Sequence, residues 1–173
     1  LIKQGILKKE NMPVEKIQKA LYKTTWEGRM EEMLPNVFLD GAHNVDGIRA
    51  FLDSVKEDDC KGRRTLIFSA VSDKEYGKML QMILETGLFK EVLVTEVSGE
   101  RGVPAQELLA SAQSLWSEMP ERNPFCISIP NLKEAICTAL TKQQYFDYIY
   151  IVGSLYLVGQ VKKLLSNHLA FSG

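Results

Sequence analysis

Metal-ligand spacings, nucleotide-binding loops and secretion signals are all absent from this sequence. Its three cysteines, Cys60, Cys126 and Cys137, are scattered. None belongs to a C-x-x-C pair or a Cys/His cluster, which argues against a zinc site or a disulfide framework. They read as reduced thiols of a cytoplasmic protein, with Cys126 and Cys137 in the core. There is no G-x-x-x-x-G-K-[ST] loop, no GxGxxG between a strand and a helix, and no nucleophile elbow. Positive charge is not in excess: 21 Lys and Arg face 22 Asp and Glu, for a formal net charge of -1. That excludes a basic field for nucleic acid or an anionic membrane surface. No apolar run reaches the ~20 residues of a membrane span, and no signal peptide is visible. The chain opens at Leu1 with no obvious start of a fold, which reads as a fragment of something longer.

What is present suits one domain: 173 residues, 45% hydrophobic and 25% charged. Five short apolar runs are rich in β-branched and aromatic residues: Val37–Leu39, Thr65–Phe68, Glu91–Val97, Phe125–Ile129 and Tyr148–Val152. Most are apolar throughout, as strands covered on both faces are. Helical patterns separate them. "DGIRAFLDSVK" puts Ile48, Phe51, Leu52 and Val55 on one face, and "EYGKMLQMILETG" ends at a stop, Gly87. "PAQELLASAQSLWSEM" opens with Pro104, "NLKEAICTALTKQ" offers Asn131 as N-cap, and "SLYLVGQVKKLLSNHL" closes the chain. The alternation predicts an α/β fold with a doubly wound, mostly parallel sheet and helices on both faces. Residues 1–25 read as a linker with a short lead-in helix. "WEGRMEEMLPN" reads as a turn and an edge strand.

In such a sheet every strand-to-helix loop falls at one edge, where ligands bind. Asp40, His43 and Asn44 stand in the first of these loops, beside the small Gly41 and Ala42. Ser154 follows Gly153 in the last, where it suits both a helix cap and a carboxylate or phosphate. Arg29, next to Gly28, suits stacking or phosphate contact. Lys74 and Arg101 stand in the two loops between. Taken singly, each has a plainer reading: a loop acid, a packed histidine, a capping serine, a surface ion pair from Arg29 to Glu31 or Glu32. As a set at one edge they tilt towards function. His168 reads as a solvated residue near a frayed end.

"WEGRMEEM", "LDGAHNVDGIRAFL" and "YIYIVGSLYLVGQVKKLL" occur in this order. They resemble the C-terminal domain of folylpolyglutamate synthase, a family that includes bifunctional dihydrofolate synthases and belongs to the Mur ligase superfamily. The resemblance runs from about Trp26 to Leu165. It implies a Rossmann-like C-terminal ligase domain over residues 26–173 and an N-terminal P-loop ATPase domain outside this chain. The implied reaction is ATP-dependent addition of glutamate to the γ-carboxylate of a folate through an acyl phosphate. ATP and Mg²⁺ are the implied cofactors, with the Mg²⁺ ligands in the ATPase domain. The implied partners are ATP, L-glutamate, folate and that N-terminal domain, with no nucleic acid and no membrane.

Carried over by position, Arg29 and Asp40 contact ATP, and His43 and Ser154 bind the glutamate. Lys74 matches the lysine of a D-K-D-like element and Arg101 an arginine in the loop before the next helix, both less complete matches. No catalytic residue and no metal ligand falls in this chain, which alone is expected to be inactive. Many members carry proline where this chain has Val45, and the Arg29–Asp40 segment is short, so its hairpin is expected to be tight. Two alternatives remain: a stand-alone α/β nucleotide-binding or interaction module that has lost catalysis, and a Mur-type peptidoglycan ligase domain. "GSLYLVG" disfavours the second.

Overall fold

A computed structural model describes residues 29–116 and 124–169, without the side chains of residue 116 and residues 166–169. The lead-in helix, Trp26, and the side chains of Trp116 and His168 lie outside that description.

The order is β1 (Glu31–Leu34), β2 (Val37–Leu39), α1 (Val45–Glu57), β3 (Arg64–Phe68), α2 (Tyr76–Glu85), β4 (Glu91–Val94), α3 (Ala105–Trp116), β5 (Phe125–Ser128), α4 (Leu132–Lys142), β6 (Tyr148–Val152) and α5 (Leu155–Leu169). The strands form one six-stranded sheet in the order β1-β2-β6-β3-β4-β5. All neighbours are parallel except β1, which runs antiparallel to β2 at the edge. The β1–β2 hairpin is tight, as its length requires. It turns through Pro35 and Asn36, and Asn36 takes φ 62, a left-handed conformation that asparagine tolerates.

The central strands are apolar on both sides because both faces are covered. Leu66, Phe68, Val92, Val94, Tyr150 and Val152 point to one face and pack with α1, α2 and α3. Ile67, Leu93, Ile149 and Ile151 point to the other and pack with α4 and α5. The period of two in each strand thus feeds two separate cores. Ile48, Phe51, Leu52 and Val55 are the buried stripe of α1. Each such side chain contributes roughly 1.5–3 kcal/mol by burial. The rings of Phe51 and Phe89 both meet Tyr150 edge-on, with centroids 5.9 Å apart, and so lock α1 to the middle of the sheet.

The helix ends follow their capping residues. Asn44 accepts from Gly47 N at 2.8 Å, and Asn131 from Glu134 N at 3.1 Å. Gly87, at φ 63, ends α2. Pro104 sits just outside α3, its carbonyl accepting from Glu107 N and Leu108 N. Two expectations about cysteine need correction. Cys137 is exposed, and Cys126 is only half-buried. Cys137 lies on the outer side of α4, whose buried stripe is Leu132, Ala135, Ile136 and Ala139. Cys126 sits on β5, a strand that among the described residues pairs only on its β4 side, yet enough covers its thiol to push it up to about 12.

Candidate functional site

Strand order sets where ligands can enter. β6 sends its helix, α5, to one face, while its neighbours β2 and β3 send α1 and α2 to the other. A crevice therefore opens on each side of β6 at the carboxyl edge, a switch point on both flanks. The ladder continues into the loops there and fixes them. Asp40 N bonds to Ile151 O at 2.9 Å, and Gly153 N to Ala42 O at 3.0 Å. Gly153 takes φ 122. A Cβ there would overlap the Ser69 carbonyl and lie 2.8 Å from the Phe68 ring, so only glycine fits.

The first crevice, between β2 and β6, is a cleft of about 320 Å³ lined by Arg29, Asp40, His43, Asn44 and Leu155, among others. Asp40 is 6% exposed. Its Oδ1 accepts from Ala42 N at 2.8 Å and its Oδ2 from Met30 N at 2.9 Å. Burial pushes its carboxyl above the ordinary range, against those two N–H groups and the Arg29 charge, which pull it down. Met30 turns through φ 44 as it donates, which sets the neighbouring Arg29 at the cleft rim. The carboxylates suggested as surface partners for Arg29 are engaged elsewhere. Glu31 pairs with Lys162 at 2.8 Å, and Glu32 accepts from Asn36 N at 3.0 Å.

The second crevice, between β6 and β3, holds about 190 Å³. It is lined by His43, Asp73, Lys74, Arg101, Ser154, Leu155 and Tyr156, with Val71. His43 and Leu155 line both clefts and form the partition between them. His43 Nδ1 lies 2.8 Å from Gly41 O. A carbonyl only accepts, so Nδ1 carries a proton in either charge state. Nε2 is the end that can accept or donate. Ser154, 1% exposed, accepts from Tyr156 N at 3.1 Å through its Oγ and retains a hydroxyl proton to donate. Leu155 and Tyr156 stay 59% and 53% exposed on this edge.

Every residue singled out in the sequence falls on these two clefts. Arg29 and Asp40 are on the first, Lys74, Arg101 and Ser154 on the second, and His43 on both. Asp73 and Tyr156 were not foreseen. An acid directly before Lys74 in a strand-to-helix loop was the available signal for Asp73. Among the described residues no group of three or more His, Cys, Asp or Glu could hold a metal ion. No described helix is long and apolar enough to cross a membrane.

Comparison with known proteins agrees with this architecture. The chain is 29% identical over 167 residues to the dihydrofolate synthase/folylpolyglutamate synthase of Bacillus subtilis, covering 92% of this chain and 36% of that protein. It is 28% identical over 146 residues to the UDP-N-acetylmuramoyl-L-alanyl-D-glutamate--2,6-diaminopimelate ligase of Caldanaerobacter subterraneus, covering 82% and 30%. Among solved structures, E. coli FolC in complex with DHPP and ADP superposes with a TM-score of 0.77 at 17% identity, covering 96% of this chain and 37% of that one. The chain thus spans about a third of the length of these proteins. The family model for the Mur ligase glutamate ligase domain matches residues 28–155, which hold every lining residue of both clefts but Tyr156. The chain is a member of that family, with its α/β sheet.

Proposed function

We propose that this chain is the C-terminal domain, residues 26–173, of an ATP-dependent ligase that adds glutamate to the γ-carboxylate of a folate. An N-terminal P-loop ATPase domain supplies the Mg²⁺ ligands, and the protein acts in the cytoplasm. One observation carries the reading: His43 stands between two separate clefts, one bearing Arg29 and Asp40, the other Lys74, Arg101 and Ser154. A ligase must hold a nucleotide and an acceptor amino acid side by side without mixing them.

The first cleft fits a nucleotide. Each Asp40 oxygen spends one acceptor position on a backbone N–H and keeps another for a ribose hydroxyl. The Arg29 guanidinium suits a phosphate. When bound, ATP supplies the phosphoryl group that turns an unreactive carboxylate into an acylating agent. The second cleft fits an amino acid. The Ser154 hydroxyl and the start of α5 favour a carboxylate, and His43 lines the same cleft. Holding the amine next to the partition is catalysis by position.

The relatives support the substrate class in differing degrees. The Bacillus protein is named as a dihydrofolate synthase/folylpolyglutamate synthase, the Caldanaerobacter one as a UDP-N-acetylmuramoyl-L-alanyl-D-glutamate--2,6-diaminopimelate ligase. The "GSLYLVG" around Ser154 favours the first.

The test uses the full-length protein that carries this domain, wild type and His43→Ala. Glutamate ligation to a folate is followed against glutamate and against ATP concentration. KM for glutamate is expected to rise on the order of tenfold or more while KM for ATP holds. If neither moves, His43 is only a turn residue, and the reading of the second cleft fails.

A further inference from the structure

The loops after β3 and β4 act as one piece. Ser72 N donates to Arg101 O at 2.8 Å, Val103 N to Ala70 O at 3.0 Å, and Val71 bridges Gly102 antiparallel. This zip brings two residues 28 positions apart into contact: Arg101 Nη2 lies 2.7 Å from Asp73 Oδ2. Lys74 Nζ stands 3.8 Å from the same oxygen. Asp73 is the acid on the second cleft, where Lys74, Arg101 and His43 also stand.

The far end of the Arg101 loop is gripped too. Gln160 of α5 accepts from Ser98 N at 3.2 Å and from Ser98 Oγ at 3.3 Å. Between the two grips, Gly99 takes φ 118, a conformation open to glycine. Inside the stretch, Gly102 N donates to Gly99 O at 3.2 Å and closes a turn.

As a stability device the Arg101–Asp73 pair is poor. Its side chains are 60% and 44% exposed, and ion pairs so placed contribute little. As a positioning device it is apt. It takes a long side chain with many rotamers and holds its planar donor fork at the cleft mouth. Two cations also share one carboxylate here, which leaves the cleft with surplus positive charge. A second carboxylate on the ligand satisfies that surplus, and a neutral amide does not.

We infer that Asp73 and Gln160 are positioning residues that aim Arg101 at the second carboxylate of the acceptor amino acid, so that preference for a dicarboxylic over a neutral acceptor resides in this loop pair. This rests on the reading that the second cleft takes the acceptor. Neither residue touches the substrate. Both act through Arg101.

The experiment measures ligation of L-glutamate and of L-glutamine, and KM for ATP, in the full-length protein. The variants are Asp73→Ala, Asp73→Asn, Gln160→Met, Arg101→Ala and Arg101→Lys, each with its melting temperature. Arg101→Ala is expected to lower kcat/KM for glutamate on the order of tenfold or more and to leave glutamine nearly unchanged. Arg101→Lys restores part of the preference. Asp73→Ala and Gln160→Met narrow it in the same direction, with KM for ATP unchanged. Should Asp73→Ala fail to fold, the near-isosteric Asp73→Asn decides.

A preference that survives in Arg101→Ala or in both loop variants overturns the inference and leaves the ligase reading standing. So does a loss shared equally by glutamate, glutamine and ATP. A wild-type protein that ligates no glutamate overturns both.

Discussion

The two edges of the sheet treat charge in opposite ways. At the amino edge, charged groups are closed on one another. Arg64 donates to Asp58 at 2.6 Å, and the buried Tyr150 hydroxyl donates to the same carboxylate. Asp147 accepts from Arg63 N at 2.7 Å, from the Arg63 guanidinium at 3.0 Å and from Gln144 N at 3.2 Å. Burial alone would raise both carboxyls, but these donors outweigh it and hold Asp58 and Asp147 below the ordinary range. The Asp59 carboxylate, accepting from Tyr148, pushes that phenol up to about 12. At the carboxyl edge the balance reverses. Asp40 is buried with too little compensation and is shifted upward. Two cations share Asp73, and Ser154 and His43 each keep an unspent hydrogen-bonding position. One edge spends its polar groups on the fold, and the other keeps them for something else.

The sharpest break of this contrast is Asp58→Ala. It leaves Arg64, 18% exposed in its side chain, and the buried Tyr150 hydroxyl without their carboxylate. A loss of about 3 kcal/mol is expected by urea unfolding, with KM values of the folded enzyme unchanged. A cost below ~1 kcal/mol would mean the amino edge is not a structural clasp.

Asp40→Ala is the matched change at the other edge. It orphans Met30 N and Ala42 N, so a smaller loss of about 1–2 kcal/mol is expected. Here the kinetic effect dominates, as a rise in KM for ATP. A stability loss with KM for ATP intact would make Asp40 a loop residue like Asp58.

The smallest effect lies in the pH dependence, and the edges carry opposite signs. Asp58 and Asp147, depressed in the folded state, contribute stability above the ordinary value near 3.8 that is lost as pH falls through their folded values. Asp40, raised in the folded state, contributes stability that is full below 3.8 and lost as pH rises through its folded value. Relative to Asp40→Asn, the wild type should therefore gain stability on acidification towards 3.8. Relative to Asp58→Asn, it should lose stability below it. Unfolding free energies from pH 3 to 7 check both signs, and parallel curves would refute the contrast.

The strands and helices were legible because burial on both faces writes an unbroken apolar run, as in Tyr148–Val152, and capping writes Asn44 and Asn131 at the helix starts. The order of the strands was not legible. That β6 lies between β2 and β3 is a fact of tertiary packing, and no local pattern in "YIYIVG" carries it. Hence the strand pattern could name Arg29, Asp40, His43, Lys74, Arg101 and Ser154 as residues of one edge, while a division between nucleotide and glutamate came only from the family resemblance. Asp73 was hidden for a related reason. Its meaning depends on Arg101, and the backbone zip that joins them is non-local. Cys137 was misjudged because a cysteine in a helix reads as core by residue type, while its angle around α4 places it outside.

The placement of β6 also bears on the birth of the domain. It comes last among the strands in sequence and third in space. While the chain is being synthesised, β2 and β3 wait as unpaired neighbours of a gap until Tyr148–Val152 leaves the ribosome. The hairpin at one end and the β3–β4–β5 block at the other can assemble early, but they join only through that late insertion. Both clefts then form in the same event. A premature stop before Tyr148 does not trim this domain. It leaves it split down the middle, with two naked strand edges open to aggregation.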